Sequence, residues 1–299
     1  MKHPTAPRPG LLRRLLRRPS ARLSLLVLAC VFLGATFLPL ALNYQSQTTS
    51  SDAFLTPNIN HLFGTDLNGR DVLARTLQGA RISLLVGCAG ALVSLGIGTS
   101  VGLLAGYVGG RVDALLMRLV DVLYAVPRLI LIILLEFLLD PWLQKSLATV
   151  QDGRWVGYSK IAILIVALGC IEWLTMARII RGQVLSLKTL PFIDAAHALG
   201  QSHFKILTRH LLPNLAGVIV VYLTLTVPAV MLDESFLSFL GLGVQAPQAS
   251  WGTLLSDGAQ ALNPVRSHWW LLVFPATAMS LTLIALNFLG DALRDALAE

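Results

Sequence analysis

Long apolar segments alternate with polar segments along most of the chain. Six stretches are long and apolar enough to form helices that cross a membrane, which takes about 20 residues each. They are 23–42, 82–107, 114–139, 159–180, 214–242 and 269–290. Only 13% of the residues are charged, against about 25% in ordinary soluble domains. The pattern therefore predicts an all-α, polytopic membrane protein with about six transmembrane helices.

One polar interruption, residues 182–213, has a helical pattern of its own. Pro191 suits the first turn of a helix, where its missing N–H costs nothing, and Gly200 interrupts that helix. A second short helix follows, and Pro213 closes it. The spacing predicts one apolar face on each helix, formed by Ala195, Ala196 and Leu199 and by Phe204, Leu207 and Leu211. Such a pair of helices suits docking into a groove of another protein, and the alternative is an interfacial loop without a partner.

Part of this loop, DAAHALGQSHFKILTRHLLP, resembles the EAA loop of ABC-importer membrane subunits. The family pattern is E-A-A, three residues, G, nine residues and I-x-L-P, and six residues match its spacing: Asp194, Ala195, Ala196, Gly200, Leu212 and Pro213. Asp194 replaces the family's glutamate and keeps its charge, and His210 replaces the isoleucine. The resemblance implies that the loop seats in a cleft of a cytoplasmic ATPase and transmits the motion of that ATPase.

Three further segments resemble one branch of that family, the C-type permeases of oligopeptide, dipeptide and nickel importers. They are Phe63–Leu84, with GTD-x-x-GRD and GAR-x-SL, then Leu237–Leu255 and Phe274–Leu297. The resemblance extends from about residue 60 to the end and implies a type I ABC importer permease fold. It also implies a pathway for peptides, or for a related small solute such as a nickel chelate, shared with a second homologous permease in a heterodimer.

The same resemblance implies the remaining partners and the location. Two cytoplasmic ATPase subunits would bind ATP and Mg, and a periplasmic or extracellular substrate-binding protein would deliver the cargo. The chain itself would lie among the lipids of a bacterial inner membrane and would carry no cofactor. The sequence itself agrees that another chain would bind the ATP, because no Gly-Lys dipeptide occurs and a P-loop is therefore absent.

Basic residues indicate the orientation. The N-terminal segment is rich in arginine, which places it in the cytoplasm, and six crossings then place the 182–213 loop on the same side. Asp66 or Asn68 can cap a short helix that ends near Gly79. The predicted order is a basic cytoplasmic N-terminus (1–22), a first transmembrane helix (23–42), a periplasmic segment with that short helix (43–81), a core permease domain containing the loop (82–293) and a cytoplasmic C-terminus (294–299).

Ionisable residues inside the predicted spans are costly and often functional. Arg128 follows Pro127, a kink candidate near the middle of the third span, and Asp121 shares its helix face. Arg128 either lines the pathway and meets a peptide carboxylate, or forms a structural pair with an acidic residue of a neighbouring helix. Glu172 in the fourth span is a candidate for that acidic partner. Asp121 and Glu172 share the hypothesis of a place in the pathway.

Two acidic residues, Asp233 and Glu234, lie near the outer end of the fifth span. At this depth we expect them to be interfacial, and an outer gate is the functional hypothesis.

Small residues predict a packing face on the second span, where a neighbouring helix can approach closely because glycines recur every four residues. They are Gly98, Gly102, Gly106 and Gly110.

Other functional classes find little support. A secondary transporter should show internal repeats, and none is evident. An intramembrane enzyme is disfavoured because the G-x-S-x-G of the second span lacks the strand–turn–helix context of a nucleophile elbow, and no catalytic residue is predicted. The loop histidines lack metal-ligand spacing, so no metal site is predicted. The net charge of +7 fits the membrane orientation, and no nucleic-acid partner is expected.

Overall fold

The computed structural model describes residues 11–41, 48–147, 156–262 and 267–298, and these residues are mainly helical. Lys2 and Arg8 of the basic N-terminal segment, and Arg266 just before the sixth predicted span, lie outside them. The helices are α1 (Leu11–Leu15), α2 (Pro19–Ala41), α3 (Val72–Val108), α4 (Gly110–Ala125), α5 (Arg128–Leu147), α6 (Val156–Leu187), α7 (Pro191–Ala198), α8 (His203–Ile206), a π-turn (Leu207–Leu211), α9 (Leu212–Phe239), α10 (Trp251–Gln260) and α11 (Trp270–Ala298).

Five helical segments in the described residues are long and apolar enough to cross a membrane, and the bent pair α4–α5 counts as a sixth. The prediction of an all-α polytopic fold is therefore confirmed. The third span, predicted as one helix over 114–139, is wrong in detail, because the chain turns by 99° between α4 and α5. Pro127 lacks an N–H and forces Val126 into an extended conformation, with φ −90° and ψ 134°.

Helix α3 begins earlier than expected. The prediction of a separate short helix ending near Gly79 is wrong, because one helix runs from Val72 to Val108. Its N-terminal cap is Asp71, whose side chain accepts a hydrogen bond of 2.9 Å from the Ala74 N–H. Gly79 allows close packing instead of ending the helix, since a Cβ there would lie 3.1 Å from the Trp251 backbone.

Helices α3 and α6 pack closely and run parallel. A Cβ at Gly98 would lie 2.6 Å from Met176, and one at Gly106 would lie 2.8 Å from Val184, so the residue numbers rise together along both helices. Gly102 meets α6 between these positions. Gly110 does not belong to this face: Gly109 ends α3 with φ 70°, and Gly110 begins α4 with φ 54° and has no atom near its Cβ position.

The remaining long helices complete a bundle with two distinct ends. Helix α9 runs antiparallel to α3, because Gly90 lies against Val230 while Ser83 bonds to Glu234. Near the start of α9, Gly217 lies close to Leu297 at the end of α11. We call the end that carries residues 188–211 the loop end. It also holds α1 and the end of α11, whereas residues 48–71 and 240–262 lie at the opposite end.

Candidate functional site

The loop end is built from two short helices joined by a left-handed glycine. Gly200, with φ 70°, follows α7, and Ser202 caps α8 by accepting a hydrogen bond from the Lys205 N–H. The prediction that Pro213 closes the second helix is wrong. Helix α8 passes through the π-turn directly into α9, and Pro213 lies in the first turn of α9, where its missing N–H is tolerated.

The apolar faces of the two short helices differ from the predicted ones. Ile193 and Ala196 of α7 are buried against the end of α6, whereas Ala195 and Leu199 are exposed. The second helix buries residues five positions apart, Ile206 and Leu211, because the π-turn adds one residue to the repeat. Phe204, which was predicted to share one face with Leu207 and Leu211, is exposed, whereas Leu211 is buried.

The opposite side of these helices forms what we call the loop surface, defined by Asp194, Ala195, Leu199, Gly200 and Phe204. Leu199 is 79% exposed and Phe204 is 75% exposed. Of the six residues that match the EAA pattern, Asp194, Ala195, Gly200, Leu212 and Pro213 are exposed, and only Ala196 is buried. Two large apolar side chains therefore flank Gly200 on an exposed surface, an arrangement typical of anchor residues in protein–protein contacts.

Polar contacts hold the short helices and the end of α6 against α3 and α4. The Tyr107 hydroxyl lies 2.7 Å from Nδ1 of His203 and 3.3 Å from Nε2 of His197, so one group of α3 contacts both short helices. Lys188 donates to the Gly106 carbonyl at 2.9 Å, and Arg181 forms a two-bond ion pair with Asp113 of α4. This role of the histidines was not predictable from the sequence, because Tyr107 is far from them along the chain.

A second group of polar residues lies between the bent pair α4–α5 and α6. Its contacts form three successive rungs, and we call them the polar ladder. Arg178 bonds to Asp121 at 2.6 Å, Tyr124 Oη lies 2.6 Å from Thr175 Oγ1, and Arg128 contacts Glu172 and Asp233. The sequence indicated three of these residues, Asp121, Arg128 and Glu172, as pathway candidates. It did not indicate Arg178, Tyr124 or Thr175. Glu172, Thr175 and Arg178 follow one another at intervals of three residues along α6, and this spacing is the signal that could have found Thr175 and Arg178.

Asp233 and Glu234 are consecutive but point in different directions. Asp233 contacts Arg128, whereas Glu234 is fully buried and accepts hydrogen bonds from Ser83 (2.9 Å) and Ser238 (2.7 Å). Neighbouring helical residues are about 100° apart around the axis, and both directions here meet protein. Their expected position at the membrane interface stays a prediction. A gating role for either residue stays a prediction.

Replacement of Glu234 by leucine should destabilise the bundle more than replacement by glutamine. Leucine leaves the two serine hydroxyls without their acceptor, at a cost of about 1–3 kcal/mol for each buried group. Glutamine keeps one carbonyl oxygen and lets a hydroxyl rotate to accept from its amide. Thermal unfolding of the purified protein in detergent measures the difference, and equal melting temperatures for the two variants would contradict this account.

The opposite end contains an ion-paired cluster. Asp66, which is buried, accepts from Arg70 and Arg75 at 2.7 Å each, and Arg75 also reaches Asp257 at 3.1 Å. The cluster borders a cavity of about 340 Å³ that also touches Phe54. These contacts explain GTD-x-x-GRD structurally, because they fix the segment before α3 onto α10.

Comparisons with known proteins agree with one another. Residues 98–299 match the family described as "Binding-protein-dependent transport system inner membrane component". The chain is 44% identical to the dipeptide transport system permease protein DppC of Bacillus subtilis, over 95% of this chain and 83% of that protein. It is 43% identical to the oligopeptide transport system permease protein OppC of Haemophilus influenzae, over 95% of this chain and 86% of the relative.

A solved structure has the same fold. The MetNI methionine ABC transporter in an inward-facing conformation contains a chain that aligns with a TM-score of 0.55 and 18% identity. The alignment covers 75% of this chain and 97% of the other. At this identity the likeness concerns the fold alone, and that fold is the one expected from the sequence.

Proposed function

The chain belongs to the family of binding-protein-dependent transport system inner membrane components, and on that premise we propose that it is a permease subunit of an ATP-driven importer of peptides. One observation carries the peptide assignment. The chain matches dipeptide and oligopeptide permeases at 43–44% identity over 95% of its length. The resemblance drawn from the loop motif and from the three further segments is thereby confirmed, and the chain is a multi-pass membrane protein.

The loop surface would be where an ATPase docks. Three of the matched motif residues, Asp194, Ala195 and Gly200, are exposed there together with Leu199 and Phe204. The polar contacts behind them join this surface to α3 and α4. The chain has no P-loop, so ATP and Mg would be bound by two partner ATPase subunits. This assignment would place the loop end, with α1 and the end of α11, in the cytoplasm, as the basic residues of the N-terminal segment favour.

The opposite end would then receive cargo from a substrate-binding protein. The polar ladder would line a pathway between this chain and a second, homologous permease. In this scheme ATP binding changes the contacts between the ATPases and the loop surface, and the bundle alternates between two access states. The nickel-chelate alternative has less support, because the compared relatives are peptide permeases.

Purification and reconstitution test the assignment. The importer is purified from its native host through a tag on this chain and placed in liposomes with its binding protein and internal ATP. We expect ATP-dependent uptake of alanine peptides of two to five residues, and no uptake when ADP replaces ATP. If the tagged chain purifies without an ATPase, the importer assignment is contradicted. If the complex hydrolyses ATP but takes up none of these peptides, the peptide assignment is contradicted.

A further inference from the structure

Arg128 is an exposed charge at the break in a membrane-crossing segment. It is the first residue of α5, directly after the 99° turn, and its side chain is 45% exposed. A charged side chain facing lipid near the bilayer centre costs about 2.5–3.5 kcal/mol or more. Tyr124 and Arg178, which belong to the other rungs of the polar ladder, are also exposed, on the neighbouring helices α4 and α6. This side of the chain therefore faces water or another subunit, in preference to lipid.

Two acidic residues hold Arg128 from behind. Its Nη2 atom lies 2.7 Å from Oε1 of Glu172 on α6 and also contacts Oδ2 of Asp233 on α9. These side chains are only 8% and 14% exposed, so a molecule that approaches from the open side reaches Arg128 first. A guanidinium carries five N–H donors in a flat fork. Both carboxylates contact the same nitrogen, Nη2, which donates a hydrogen bond to Asp233 and meets Oε1 of Glu172 as an ion pair without hydrogen-bond geometry.

The backbone adds to the positive potential at this point. Ile130 and Leu131 donate to the Pro127 carbonyl, so the N–H groups left without a helical acceptor at the start of α5 are those of Arg128 and Leu129. The helix dipole places partial positive charge at this end. Interrupted membrane helices commonly present such N-termini to anionic groups of a transported molecule. The exposed guanidinium is an independent second feature of the same position, and both favour an anion.

We propose that Arg128 binds the C-terminal carboxylate of a peptide during its passage, and that Glu172 and Asp233 are positioning residues that orient the guanidinium. This inference rests on the proposed function. Both paired geometries of a guanidinium use Nη2, so a peptide carboxylate would accept a single charge-assisted hydrogen bond, from Nε or from Nη1. The two acidic groups across the guanidinium weaken this binding. A weak site suits a pathway, because the transported molecule must leave it again.

The test compares one peptide in two forms. Uptake by the reconstituted importer is measured for trialanine and for a form of it with a blocked C-terminus, both at saturating concentration. The blocked form is the C-terminal amide or the methyl ester, chosen as the one that the wild-type importer transports. Arg128→Gln is expected to lower uptake of the acid about tenfold, which is the lower limit for losing a hydrogen bond between charged groups. Uptake of the blocked form should fall by less than about threefold. The binding protein is unchanged, so its own preference cancels in the ratio.

Matched variants separate recognition from folding. Arg178→Gln removes another half-exposed arginine of the ladder and should lower both uptakes by the same factor. Arg128→Lys keeps the charge and should retain most of the preference for the acid. If Arg128→Gln fails to assemble, loss of this preference in an assembled Arg128→Lys importer would overturn the proposal. Equal loss of both forms in an assembled Arg128→Gln importer would overturn the proposal while leaving the proposed function intact. Absence of peptide uptake by the wild type would overturn both.

Discussion

Replacement of both Leu199 and Phe204 by aspartate is expected to release the ATPase subunits from the permease. These side chains are 79% and 75% exposed, yet they are among the larger apolar groups at the loop end. Truncation of a central apolar anchor in a protein interface commonly costs about 2 kcal/mol or more, which is about thirtyfold in affinity. Two anchors and two unfavourable charges should together reduce copurification of the ATPase below detection.

The same substitution elsewhere provides the control. Leu62 lies at the opposite end and is also exposed, so Leu62→Asp makes the same chemical change as the Leu199 half of the double variant, away from the loop surface. We expect Leu62→Asp to retain the ATPase and the double variant to lose it, with similar melting temperatures for the two permeases. Retention of the ATPase by the double variant at wild-type yield would show that the docking surface lies elsewhere.

Gly102→Leu is expected to prevent the bundle from folding stably. A Cβ at Gly102 would lie 2.6 Å from the Ala177 carbonyl oxygen and 2.8 Å from Cβ of Ile180. Adding methylenes to a packed core usually costs about 1–3 kcal/mol, when neighbouring side chains can move. Here the obstacle includes the backbone of α6, so we expect a cost at or above the upper end of that range and little protein recovered from the membrane.

Gly96→Leu is the matched control for this variant. Gly96 lies on the same helix, and no atom lies within 4 Å of its Cβ position. Leucine favours helix over glycine by up to about 1 kcal/mol, so this variant should be as stable as the wild type or more stable. Thermal unfolding in detergent and the yield of folded protein compare the two. Equal yields of Gly96→Leu and Gly102→Leu would contradict close packing of α3 against α6.

The membrane spans were predictable because long apolar runs are a local property of the sequence. The break in the third span was only half predictable. Pro127 signals a kink, but a turn of 99° requires polar and apolar contacts to α6 that local sequence does not reveal. Helix α3 was predicted too short, because its first ten residues are more polar than the span and pack against α10 instead of crossing apolar surroundings.

The loop shows the limit of helical periodicity in short segments. Helix α7 has eight residues, and apolar side chains lie on more than one side, so spacing alone could not decide between Ala195 and Ile193 as the buried position. The apolar end of α6 decided it. In the second helix the π-turn shifted the repeat by one residue, which no simple period anticipates.

The charged residues were predictable as a group and only in part as pairs. A charge inside a span requires a partner, which is why Glu172 was a candidate for Arg128, and the ion pair between them is confirmed. The contact between Asp233 and Arg128 was missed because it depends on the rotation of α9 about its axis. The sequence located Asp233 by depth alone.

The continuous helix from His203 to Phe239 connects the loop surface with the ion pair between Asp233 and Arg128, so movement at one place is linked to movement at the other. It is 37 residues long, and about 44 Å of its axis separates Phe204 on the loop surface from Asp233 beside Arg128. A tilt of about 10° around its middle would displace each of these points by about 4 Å in opposite directions. That displacement exceeds the length of an ion-pair contact. Docking motion and the release of Arg128 from Asp233 would thus occur as a single step, with no relay of intermediate side chains.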